Sequence, residues 1–289
     1  MNSRKLPLHG WIGLALIAIF WPVNWLMEGL RSQWAFFPLW LGYTLTVDGL
    51  VYLRKGTSLS ARNWKKYVGL FLLSAPVWWL FELFNLRLQN WVYLGRENFT
   101  NLEYAFLATL CFSTVIPAVF GTVELMGSFT LFRTGKLSRK LRLPPWGVWA
   151  FFLLGWVMLG LMLAWPRYFF PFVWLSVYFI VDALNVWLGN PNLKAELEKG
   201  DWRGLWALWG GVLVTAFFWE MWNFYSYPKW IYQVPFVDFA HIFEMPLLGY
   251  GGYLPFAMEL FAIYNLVTGV LGTKRTFTIK EIVGKEISD

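Results

Sequence analysis

Within residues 217–260, Glu220, Asn223, Asp238, His241, Glu244 and Glu259 stand among Trp, Phe and Tyr in a chain that is otherwise strongly apolar. Carboxylates, an amide and an imidazole can move protons, hold ions or clamp chain segments together. Charged groups at bilayer depth are costly, so each demands a partner, a wet cavity or a task. Glu220 and Asn223 are three residues apart and share a helix face, and Glu82 and Asn85 repeat the arrangement earlier in the chain. Each pair reads either as a carboxylate oriented for proton transfer or as a buried hydrogen-bond clamp. Asp238, His241 and Glu244 fall at i, i+3 and i+6. Their competing reading is a capping network in an outer segment.

Asp48, Asp182 and Glu124 are further intramembrane acids, read either as an ion or proton path or as helix glue. For Asp182 the glue would be Asn185, three residues on; for either aspartate it would be a snorkelling Lys or Arg. His9 and His241 are the only histidines, so a bis-histidine haem or a multi-histidine di-iron site cannot be built and no cofactor is assigned. One histidine with carboxylates is thin for a transition metal. Leu248–Tyr253, LGYGGY, looks like a potassium filter but occurs once and lacks the preceding Thr-Val. Cys111 stands alone and reads as an inert thiol.

The elements that must position these groups follow from composition. The chain has 289 residues, 58% apolar and 14% charged, outside the usual globular balance of about a quarter charged. Apolar runs of helix-spanning length recur throughout, at about 10–27, 34–53, 67–88, 112–132, 146–165, 168–188, 205–226 and 254–272. The fold class is therefore all-α, a polytopic membrane protein with eight transmembrane helices; alternating β-barrel segments are absent. Pro38, Pro171 and Pro255 are placed in the first turns of their spans. In the link NPNLKAELEKGDW, Asn190 reads as the cap of a short surface helix and Gly200 as its stop.

Lys and Arg collect in alternate links. The clusters are Arg4 and Lys5; Arg54, Lys55, Arg62, Lys65 and Lys66; Arg133, Lys136, Arg139, Lys140 and Arg142; Lys194, Lys199 and Arg203; and the tail from Lys274. The other links carry only Arg31, Arg87, Arg96, Arg167 and Lys229. This is the positive-inside pattern of a multi-pass cell (inner) membrane protein with both termini cytoplasmic. It accounts for the net charge of +7 without a nucleic-acid partner.

The two halves match each other. Phe36, Asp48, Glu82, Asn85, Trp91, Tyr93, Glu103 and Glu124 align with Phe169, Asp182, Glu220, Asn223, Trp230, Tyr232, Asp238 and Glu259, at offsets of about 133 to 139 residues. Two parallel four-helix repeats are expected, residues 1–140 and 141–275, followed by a tail of 276–289. Each repeat carries a piece too short to cross, about 102–111 and 234–251, read as interfacial or re-entrant before the last helix. His241 aligns with Phe106 and Glu244 with Thr109. Function resides where a duplication has lost its symmetry, which singles out these two.

With 21 Trp and 21% aromatics, a ring-lined cavity for a flat or extended apolar ligand is expected, with Trp219, Trp222, Trp230, Tyr232, Glu82 and Asn85 as its walls. WEMWNFYSYPKWIYQVP followed by FEMPLLGYGGYLPFAMEL resembles a signature of bacterial multi-pass membrane proteins of unassigned activity. Glu220, then Trp230 and Tyr232, then Pro255 to Glu259 also show a fainter resemblance to carotenoid-type lycopene cyclases, without their paired Glu-Glu. That second resemblance implies a small duplicated helical enzyme acting on an isoprenoid.

The leading expectation is thus an enzyme or binding protein for a lipidic, isoprenoid-like molecule. In it Glu244 or Glu220 donates a proton as a carboxylic acid kept neutral by its surroundings, Glu259 assists, and Asn223 orients. A transporter or channel, and a non-catalytic subunit of a membrane complex, stay open, as does homo-oligomerisation. Membrane lipid is the one partner implied in every case.

Overall fold

The computed structural model describes residues 5–134 and 139–284. Arg4, Lys136 and the tail beyond 284 lie outside the described residues. The first half comprises α1 (Leu8–Leu26), α2 (Ser32–Lys55), α3 (Leu59–Arg62), α4 (Trp64–Leu88), β1 (Trp91–Leu94), α5 (Asn101–Phe112), α6 (Val115–Gly127) and α7 (Thr130–Thr134). The second comprises α8 (Gly147–Ala164), α9 (Pro166–Phe169), α10 (Ser176–Trp187), α11 (Leu193–Lys199), α12 (Arg203–Phe224), β2 (Lys229–Tyr232), β3 (His241–Ile242), β4 (Met245–Pro246), α13 (Tyr253–Val270) and α14 (Ile279–Val283). Among the described residues, eight helical spans are long and apolar enough to cross a bilayer.

Most spans begin two or three residues before the apolar run suggests, because polar first-turn residues join the helix. Ser32 opens α2, so Pro38 lies inside that helix and not in its first turn. The fourth span departs furthest from expectation. Residues 102–111, read as a separate short piece, belong to α5, which Thr100 and Glu103 close with a capping box. A two-residue break at Ser113 and Thr114 separates α5 from α6. Ser74 of α4 bridges it, donating to the Phe112 carbonyl (2.5 Å) and accepting from the Ile116 N–H (3.0 Å). A hydroxyl from a neighbouring helix thereby satisfies the backbone groups that the break frees.

In the second half the matching stretch stays irregular, with the two-residue strands β3 and β4, a 3-10 turn at Leu247–Gly252, and left-handed Phe236, Ala240 and Phe243. Asn192 caps α11 by accepting from the Ala195 N–H (2.9 Å), correcting the assignment to Asn190. Asn190 instead bonds Asn185 and Arg275. Gly200 ends the helix at φ +82°.

The core lies where α6 and α12 cross. They approach so closely that a Cβ on Gly211 would lie 2.5 Å from the Val123 Cα. On the far side of the bundle α1 pairs with α2 through facing Gly10 and Gly49. At one end β1 and β2 form an antiparallel ribbon joining the halves, with Trp91 opposite Tyr232 and Tyr93 opposite Trp230. At the other end the described part of the tail returns onto the bundle. Phe277 stacks on Phe120 (3.8 Å between centroids, 6° between planes), and Ile282 and Val283 are buried.

Candidate functional site

The polar pairs of α4 and α12 sit in each helix's last turns, where the chain must reverse into its strand. Asn85 donates to the Trp91 carbonyl (2.7 Å) and accepts from the N–H groups of Asn90 (2.9 Å) and Trp91 (3.3 Å). Asn223 donates to the Trp230 carbonyl (2.7 Å) and accepts from its N–H (3.0 Å). Both amides thus pin the ribbon to the helix that precedes it, and neither bonds the carboxylate one turn back. Asn223 is placed as a backbone clamp.

The carboxylates hold the ribbon's side chains. One oxygen of Glu82 accepts from Tyr93 (2.5 Å), Trp91 (3.0 Å) and Trp78 (3.1 Å). One oxygen of Glu220 accepts from Tyr253 (2.5 Å) and Tyr232 (2.7 Å), and Trp230 donates in turn to the Tyr232 hydroxyl (2.9 Å). Glu220 is fully buried and its second oxygen has no partner. Burial first, and then the adjacent Glu220, push the Tyr232 phenol well above its ordinary range. Burial and then Glu82 do the same for Tyr93. Both side chains therefore remain hydrogen-bond donors at neutral pH.

Beneath the ribbon lies a cavity of about 430 Å³, within the range of roughly 300–1,000 Å³ typical of small-molecule sites. Trp78, Trp91, Tyr93, Trp219, Trp230 and Tyr232 contribute to its wall. Glu82, Glu220 and Asn85 do not; the carboxylates stand behind the phenols that touch the cavity. Trp222, expected in the wall, is instead core. It packs against Trp21, Trp40 and Tyr43, and its carbonyl accepts from Asn24 (2.9 Å) and Trp25 (3.3 Å).

The remaining expected residues disperse. Glu244 pairs with Lys229 at the ribbon's edge, while Asp238 and His241 form an exposed pair (2.8 Å) on the irregular loop. Glu259 is fully buried on α13 with neither oxygen hydrogen-bonded, and does not reach the cavity. Asp48 accepts from Ser58 (2.8 Å), from the Ser60 hydroxyl and N–H, and meets His9 at 3.1 Å. Asp182 meets the Tyr178 hydroxyl (3.4 Å), whereas Asn185 donates to the Ala262 carbonyl (2.8 Å). Glu124 is gripped by both terminal nitrogens of Arg62 (2.7 Å each) and by Lys55 (2.9 Å). These three acids tie helices and links together at the end opposite the ribbon.

Sequence reasoning missed Tyr253, Trp40, Trp174 and Cys111 as cavity or network residues. Trp78, one of the deep indoles that suggest a ring-lined cavity, does line it, and also lies one turn before Glu82, within reach of the carboxylate. Among the described residues no group of three or more His, Cys, Asp or Glu is placed to hold a metal ion. Comparison with known protein families, with characterised proteins and with solved structures finds no match, so the site's own geometry is what speaks to its function.

Proposed function

We propose that this integral membrane protein takes a lipidic, isoprenoid-like molecule from the bilayer into the ring-lined cavity and acts on it through its two phenol-on-carboxylate pairs. The observation that carries the reading is the cavity itself. It is walled by indoles and phenols, with Tyr93 and Tyr232 presented to it and backed by Glu82 and Glu220. Apolar walls favour an apolar occupant, and ring faces steady positive charge developing on it. The transfer starts from the protonated carboxyl group: its O–H donates to the phenol oxygen and turns the phenol's own proton toward the bound molecule. As that proton is given up the carboxyl proton moves to the phenol, leaving a carboxylate that is reprotonated from solvent. The sequence pointed to a glutamate as the direct donor; this reading interposes the phenol.

The matched networks also support a duplicated unit. Each Glu–Asn pair holds its own strand, and the two strands pair so that each Trp faces the other's Tyr. With the positive-inside pattern, the ribbon end and its cavity lie on the non-cytoplasmic side.

The test is extraction in mild detergent followed by mass spectrometry of retained apolar molecules. A single extended isoprenoid-like compound in near-stoichiometric amount is expected, and Ala108→Phe, which fills the cavity, should lose it. Phospholipid alone, unchanged by that substitution, would overturn the proposal.

A further inference from the structure

The cavity differs between the two ends of the ribbon. Leu94 pairs with Lys229 at one end, and at the other the Gln233 N–H donates to the Asn90 carbonyl (2.8 Å). The 139-residue offset that matches Trp91 with Trp230 also matches Asn90 with Lys229. Corresponding positions therefore carry an amide at one end of the cavity and an ammonium at the other, and both line it. Arg96, two residues beyond Leu94, adds a second cation to the ammonium end and also lines the cavity.

These two cations are not equivalent. Lys229 is neutralised by Glu244. Arg96 donates to the Phe99 carbonyl (2.8 Å) and to Asn101 (2.5 Å), and its guanidinium lies 4.2 Å from the Tyr104 ring centroid. All of these partners are neutral, so its charge is left uncompensated among the described residues. Ser32 belongs to the same end, since its N–H donates to the Tyr227 carbonyl (2.9 Å), two residues before Lys229. Ser32 lines the cavity and is only 6% exposed, and its buried hydroxyl has no hydrogen-bond partner. A buried hydroxyl left unpaired is unfavourable, and a half-buried guanidinium whose partners are all neutral favours an anion. One anionic oxygen would answer both.

We infer that the cavity's ligand is a single-chain amphiphile. Its terminal anionic group, a carboxylate or a phosphate, sits against Arg96 and Ser32, and its apolar chain runs beneath the ribbon toward Asn90. This rests on the lipid-binding reading above and narrows it to acidic lipids. Charge-assisted hydrogen bonds to a guanidinium are about twice as strong as neutral ones, so the anionic end sets the ligand's direction.

The experiment uses the full chain in phosphatidylcholine nanodiscs. Photolabelling of the α5 and ribbon peptides that line the cavity by a fatty alcohol with a diazirine on its tail is followed against increasing farnesyl phosphate or farnesol, and against oleate or oleyl alcohol. At least one acid should suppress the labelling at about tenfold lower concentration than its alcohol. Arg96→Gln should bring the acid's value to that of its alcohol, and Arg96→Lys should keep part of the advantage. Comparison of the two acids assigns the head group. Equal suppression by acid and alcohol in the unsubstituted protein would overturn the anionic head group and leave lipid binding intact. Suppression by none of the four would overturn the lipid reading itself.

Discussion

The two ends of the bundle treat buried acids in opposite ways. At the end opposite the ribbon, Glu124 is closed by Arg62 and Lys55, Asp48 by two serines and His9, and the returning tail fills the space beside them with Phe277. At the ribbon end, Glu82 and Glu220 meet only phenols and indoles, and those rings also wall a cavity. A carboxylate that charge partners surround is held for architecture. One that meets only neutral donors is left without a countercharge, which the proposed proton exchange requires. Matched positions can fall on either side of this division. Glu124 and Glu259 align in the sequence, yet only the first is paired with cations, while neither oxygen of the second has a partner.

The largest effect expected from this contrast is on folding. Glu124→Ala leaves Arg62 with only the more distant Glu281 (3.7 Å) and Lys55 with no carboxylate, costing about 3–5 kcal/mol and preventing recovery of folded protein by size-exclusion chromatography. Glu220→Gln, which keeps an acceptor for Tyr232 and Tyr253, should change stability by about 1 kcal/mol or less while abolishing turnover. Comparable loss of folding in both would erase the distinction between the two ends. Next is Phe277→Ala, which removes a fully buried ring stacked on Phe120. A loss of about 3 kcal/mol is expected, read as a lowered thermal midpoint, with the cavity's ligand retained because the tail lies at the far end.

Asn223→Ala and Asn85→Ala sharpen the contrast within the ribbon end. Each should cost about 1–3 kcal/mol and increase hydrogen exchange in β1 and β2, with no comparable change in α10. Exchange that rises equally in both places would remove the clamp role. The smallest effect is alkaline. Burial raises the Tyr232 phenol above its unfolded value of about 10. Its contribution is therefore intact below that pH and declines as pH rises further, since the unfolded chain then binds fewer protons than the folded one. Tyr232→Phe should flatten the fall in thermal midpoint on the alkaline side of about pH 10. An unchanged slope would mean that the phenol is not held as described.

Much of this was legible in the sequence, where it depended on local pattern. The eight spans follow from apolar runs, and the matched Glu–Asn pairs and Trp-x-Tyr strands stood out as repeated types at offsets of 138 and 139 residues. Other features arise only in three dimensions. The break between α5 and α6 depends on Ser74, far away in sequence, to satisfy the freed backbone. Tyr253 reaches Glu220 across 33 residues and has no counterpart that would mark it. Trp219 and Trp222 are near neighbours on α12, and hydropathy cannot tell that the first lines a cavity while the second fills the core against α1 and α2. Asn190 and Asn192 are equally good caps by type; α11 begins at Leu193, which puts Asn192 at the cap position.

The claim that a lipid occupies the chamber beneath the ribbon is tested most directly by photolabelling. A single-chain lipid bearing a diazirine on its tail would be activated in nanodiscs and the labelled peptides mapped. Labelling is expected at the α5 and ribbon peptides carrying Cys111, Trp91 and Trp230, and Ala108→Phe should suppress it. Label confined to outward-facing rings such as Trp149 and Trp156, which are 57% and 52% exposed, and indifferent to that substitution, would contradict the account.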